Sequence, residues 1–164
     1  MITEEMTMEP TEFEEKVKGA ITAYRNRKER TVAVAERTEQ MEQMAAQRFN
    51  KIVESDILPL FTKTTELLKD YCTVQIHRQE YTDERPFVVS VAMVVTPKEG
   101  VGIRRLRQPY PKLEICLRQK TLKVVIFTEV LRLAKLQLEE IDFPELTPEK
   151  LEQCVHDFIV EVFR

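Results

Sequence analysis

From Phe13 to Leu58 the chain runs without a proline, and Gly19 is the only glycine in that stretch. No other feature constrains the fold as strongly, because a helix of about 40 residues spans roughly 60 Å. Such a rod cannot lie wholly on a small domain. It must project, fold back as a hairpin, or pair with another chain. Thr11 opens it with the capping-box pattern, Glu14 following three residues on. Glu12, Glu14 and Glu15 fill the first turn, where the helix dipole favours anions.

Apolar or small residues recur along this helix at alternating steps of four and three: Phe13, Val17, Ala20, Tyr24, Val34, Met41, Ala45 and Ile52. Arg27, Thr31, Thr38 and Arg48 interrupt the same seam. The pattern is a degraded heptad, good enough for a long helix and weak for a self-sufficient coiled coil. It predicts a helical arm over residues 11–54 that oligomerises or docks, preceded by a flexible acidic N-terminus over residues 1–10. Ser55 reads as a new N-cap with Pro59 in the first turn, so the helix either kinks or breaks near Pro59. Ile57, Phe61, Thr64, Leu68 and Tyr71 then form a stripe suited to covering a sheet.

At Cys72 the period changes to two. Cys72, Val74 and Ile76 alternate with polar neighbours, as in a half-buried strand. Residues 82–86 suggest a turn, and Phe87 to Val95 is apolar on both faces, as in a central strand. Leu113 to Leu117 and Leu122 to Val130 predict two further strands joined by a tight turn at Gln119-Lys120. Residues 131–143 suit neither period cleanly, and a fifth edge strand is favoured there. Thr147 caps a last helix with Pro148 at N1, Leu146 and Leu151 are placed as a hydrophobic staple, and Leu151, Val155, Phe158, Ile159, Val162 and Phe163 give it an apolar face. The expected fold class is α+β. A long N-terminal helical arm precedes a sheet domain over residues 55–164, with a four- to five-stranded antiparallel sheet and a C-terminal amphipathic helix packed on it.

Charge is segregated. Residues 97–136 carry ten cations against three anions, and residues 137–164 carry eight anions against Lys150 and Arg164. A basic middle beside an acidic tail can bind an acidic partner or its own tail. The three cysteines Cys72, Cys116 and Cys154 are far apart, set among apolar residues and match no metal or disulfide spacing, so free buried thiols in a reducing compartment are expected. No apolar run approaches a membrane span, and the N-terminus is acidic, unlike a targeting peptide. These features together suggest a cytoplasmic protein.

Catalytic chemistry finds little to work with. The three glycines, Gly19, Gly100 and Gly102, leave no GxGxxG or P-loop. His77 falls on the polar face of a strand, and His156 stands beside Asp157 on a helix, where adjacent side chains diverge by about 100°. Glu14-Glu15 and Glu139-Glu140 are adjacent pairs of the solvated kind, with no apolar pocket beside them. Cys116 has Arg118 two residues on but lies inside an apolar strand. The expectation is therefore no catalysis and no cofactor or metal.

The stretch from Gly102 to Lys112 is the most informative for binding. It places Arg104, Arg105, Arg107, Tyr110 and Lys112 in a loop bounded by glycine and proline. Guanidinium forks bind carboxylate or phosphate bidentately, and tyrosine stacks on planar groups. An acidic protein partner is favoured over nucleic acid because the whole chain is acidic, at a formal charge of −3. The rival reading pairs these cations with the protein's own carboxylates. The sequence thus suggests an interaction or assembly subunit, with the arm for homo-oligomer or hetero-complex formation and the basic loop for an acidic partner. A peptide-binding chaperone or targeting factor using a sheet edge, and a nucleic-acid accessory protein, are the alternatives.

Overall fold

Among the described residues, three successive helical segments lead into a five-stranded meander, and a C-terminal helix follows. The computed structural model describes residues 11–80, 88–98, 109–118, 121–130 and 135–164. The expected turn at residues 82–86, Arg104, Arg105 and Arg107, and the first ten residues lie outside the described residues. Helix α1 spans Glu12–Ile52, a π-helical turn follows at Val53–Ile57, and α2 continues over Leu58–Leu68. Strands β1 (Cys72–Glu80), β2 (Val88–Pro97), β3 (Lys112–Arg118), β4 (Lys123–Val130) and β5 (Lys135–Ile141) come next, then a 3₁₀ turn at Phe143–Glu145 and helix α3 (Pro148–Phe163). The protein is α+β, with a long N-terminal helix, an antiparallel sheet and a C-terminal helix. Among the described residues no helix is long and apolar enough to cross a membrane.

The chain divides into two compact units, Met1–Met41 and Glu42–Arg164. In the first, every described residue is exposed. Thr11 Oγ1 accepts a hydrogen bond from the Glu14 N–H at 3.3 Å, which is the expected N-cap. Lys16 and Glu12 pair at 2.9 Å one turn apart.

In the second unit the core begins on the last turns of α1. Ala45, Ala46, Phe49, Val53, Ile57 and Phe61 are all buried and belong to one apolar cluster with the sheet. From Ala45 to Phe61 these residues recur in steps of four. In an α-helix a step of four overshoots the turn by about 40°, so such a stripe would drift around the axis. The wider π turn takes up the surplus and keeps Phe49, Val53, Ile57 and Phe61 on one side. It also accommodates Pro59, which has no N–H to donate, and the Leu58 N–H bonds back to the Val53 carbonyl. Ser55 is therefore not an N-cap as its sequence context suggested. The helix passes through it without a break.

The sheet order is β1-β2-β3-β4-β5, antiparallel throughout. β3 occupies the centre and β2 lies beside it. Val91, Met93 and Val95 of β2, Leu113, Ile115 and Leu117 of β3, and Val124 and Ile126 of β4 face the helices. Residues 135–141 form the fifth strand that the ambiguous segment suggested. Leu122, at φ 57°, ends the β3–β4 connection, with its N–H on the Arg118 carbonyl at 2.8 Å. Helix α3 starts at Thr147, whose hydroxyl accepts from the Lys150 N–H at 3.2 Å, and it buries Leu151, Val155, Phe158 and Val162. Phe163, expected on the apolar face, is exposed and meets Tyr71 edge to face at 6.5 Å.

Candidate interaction surfaces

Large apolar side chains stay in water along α1. Phe13 is 74% exposed and Tyr24 67%, and Val17, Ile21, Val32, Val34 and Met41 are exposed as well. Phe13, Val17, Tyr24, Val34 and Met41 fall on the four-three seam. Two of its polar interruptions are milder than the sequence suggested. The Thr31 hydroxyl donates to the Arg27 carbonyl and the Thr38 hydroxyl to the Val34 carbonyl, each at 2.9 Å. With its hydroxyl used inside its own helix, each threonine offers a β-branched surface with no unmet donor. Arg27 is the one charged residue left on the seam between Phe13 and Met41.

The second surface is the sheet face away from the helices. Register places Ser90 and Ala92 of β2, Lys112, Glu114, Cys116 and Arg118 of β3, and Val125 and Phe127 of β4 there. The Ser90 hydroxyl donates to Glu114 Oε1 at 2.8 Å, and Lys112 Nζ lies 3.1 Å from Glu114 Oε2 and 5.3 Å from the centre of the Phe127 ring. Arg118 and Lys123 reach the acidic tail at Glu140 and Asp142, 3.9 and 4.0 Å away. Part of the basic middle therefore pairs with the protein's own tail. The five loop residues expected to bind a partner are not seen together. Tyr110 packs against the core cluster, Lys112 is tied to Glu114 and Phe127, and the three arginines lie outside the described residues.

The third surface is a cleft of about 640 Å³ between α3 and the β4–β5 end of the sheet. Glu139, Asp157 and Glu161 line it together with Ile126, Phe158 and Val160. Sequence reasoning treated Glu139 and Glu140 as one solvated pair. A strand sends neighbours to opposite faces, so Glu139 meets Lys150 of α3 while Glu140 meets Arg118 and the Thr121 hydroxyl. His156 and Asp157 also depart from expectation. Despite their angular separation, His156 Nδ1 and Asp157 Oδ1 lie 3.3 Å apart on the exposed side of α3, and Gln153 donates to the same oxygen at 2.7 Å.

Burial raises the thiols of Cys72, Cys116 and Cys154 above their ordinary value. At Cys116 the Glu114 carboxylate adds to the rise, and Arg118 and Lys112 oppose it. All three are free thiols. Among the described residues no group of three His, Cys, Asp or Glu side chains is arranged to hold a metal ion. Comparison with family models, with curated proteins and with solved structures finds no match to this chain.

Proposed function

We propose that this protein is a non-catalytic, cytoplasmic assembly subunit that pairs through the exposed stripe of α1 with the same stripe of a second copy. The observation that carries the reading is the exposure of five large apolar side chains, Phe13, Val17, Tyr24, Val34 and Met41, on one seam of one helix. Burying a side chain of that size contributes roughly 1.5–3 kcal/mol. The five on the seam together exceed the low end of the association cost, about 4 kcal/mol. A second copy is the simplest occupant, because one twofold contact covers both stripes at once. The back-bonded threonines make the seam compatible with a dry interface.

The non-catalytic part of the reading draws on the thiols. Each is held in its protonated form, the reverse of an activated nucleophile. Free thiols also suit a reducing compartment. In the same reading Arg104, Arg105 and Arg107 serve an acidic protein partner, supported by their sequence context alone.

Replacing Tyr24 and Val34 together by Glu tests the pairing. Both side chains are exposed, so the core over residues 42–164 keeps its melting temperature while the mass in solution falls from dimer to monomer. A wild-type protein that is already monomeric at tens of micromolar sinks the proposal.

A further inference from the structure

Among the described residues, the cleft between α3 and β5 is lined by three carboxylates and by no cation. Asp157 and Glu161 stand four residues apart, on one face of α3. Glu161 Oε1 accepts from Arg164 at 3.1 Å, but its Oε2 is buried with no hydrogen-bond partner. Beside the cleft, β5 ends the strand order, and among the described residues no strand pairs with its outer edge. Apolar surface flanks it on both sides: Leu138 of β5 is 54% exposed and Val160 of α3 46%.

We infer that the β5 edge and this cleft receive an extended segment of a partner protein, with arginine and apolar residues at alternate positions, as a sixth strand. Each part of the arrangement asks for one part of that ligand. The edge offers unpaired backbone groups, which an extended chain satisfies. Alternate side chains of an added strand point to opposite faces of the sheet. On the helix side they enter the cleft, where a planar guanidinium can pair with the carboxylates of Asp157 and Glu161 that line it. Its aliphatic stem lies along Val160. On the other side they meet Leu138, which shares the helix-free face with Phe127 through the β4–β5 register. The surplus of eight anions over two cations in residues 137–164 favours the approach of a basic segment. The cleft and the β5 edge both belong to the Glu42–Arg164 unit, so binding there does not depend on pairing through α1.

The test uses the full chain and a fluorescein-labelled ten-residue peptide alternating arginine and valine, followed by fluorescence anisotropy. Saturable binding is expected. It should weaken about tenfold or more in the Asp157→Asn/Glu161→Gln double variant, and similarly in Leu138→Lys. Two peptide controls need no protein variant. Prolines at two central positions remove strand donors and should abolish binding. A peptide of equal charge alternating arginine and glycine should bind at least about tenfold more weakly, because it lacks the Leu138 contact. Amide exchange should slow along β5 on binding of the valine peptide. No saturation, equal binding of the proline or glycine peptide, or unchanged affinity in both protein variants would overturn the inference.

Discussion

Lys150, in the first turn of α3, donates to Glu139 of β5 at 2.6 Å and ties the last helix to the edge strand. The bond holds the Lys150 ammonium above its ordinary value, with burial opposing it. Lys150 is a third exposed and Glu139 half exposed, so solvent screens most of the attraction. Lys150→Met should cost no more than about 1 kcal/mol in urea denaturation. The lysine binds its proton more tightly folded than unfolded, so its contribution is complete below the ordinary lysine value. It disappears as pH rises through the higher folded value. The difference between wild type and Lys150→Met should therefore be present at pH 8 and shrink at alkaline pH beyond the lysine range.

Phe158 and Phe163 stand five residues apart on α3 and should respond differently to truncation. Phe158 is buried against the sheet, and Phe158→Ala should cost about 3–5 kcal/mol. Phe163 is exposed and meets the Tyr71 ring edge to face. Phe163→Ala should cost on the order of 0.5–1.5 kcal/mol, the worth of an aromatic pair. Urea midpoints of the two variants check the order, and equal losses would contradict the placement of α3.

The thiols give a chemical check on the proposal that the protein is non-catalytic. Burial holds Cys72, Cys116 and Cys154 protonated at neutral pH. Alkylation by iodoacetamide at pH 7.5 should be slower in the folded protein than in denaturant at all three positions. The rate should climb as pH passes above the ordinary thiol value. One cysteine reacting faster folded than unfolded would mark an activated thiol and argue for an enzyme.

Replacing Arg104, Arg105 and Arg107 by Ala tests the sequence-based assignment of the loop. Stability should change by less than about 0.5 kcal/mol per position. Affinity for an acidic protein captured by the wild type should fall, most at low salt. A loss of several kcal/mol in stability with unchanged affinity would make the arginines internal clamps.

The periodic parts of the fold were legible, because helix and strand periods leave different marks. Four strands, the capped last helix and the long first helix each follow from residue spacing, whereas the fifth strand lies in residues 131–143, which suit neither period cleanly. Three features were hidden. The π turn at Val53–Ile57 was invisible because Ser55 and Pro59 mimic a helix start, and only the step-of-four stripe from Ala45 to Phe61 betrays continuity. The threonine back-bonds leave no sequence mark separate from threonine itself, so Thr31 and Thr38 read as polar faults in the seam. The cleft joins Glu139 to Asp157 and Glu161, which meet only once α3 packs on the sheet. Its one linear signal was the four-residue spacing of the last two.

Sedimentation equilibrium of the full chain against a chain starting at Glu42 tests pairing through α1 most directly. The cut at Glu42 retains Ala45, Ala46, Phe49 and Val53 for the core, which a cut at Ser55 would remove. The account predicts a full chain with twice the monomer mass at tens of micromolar and a shortened chain that is folded and monomeric. Two monomers, or two dimers of equal affinity, would contradict it.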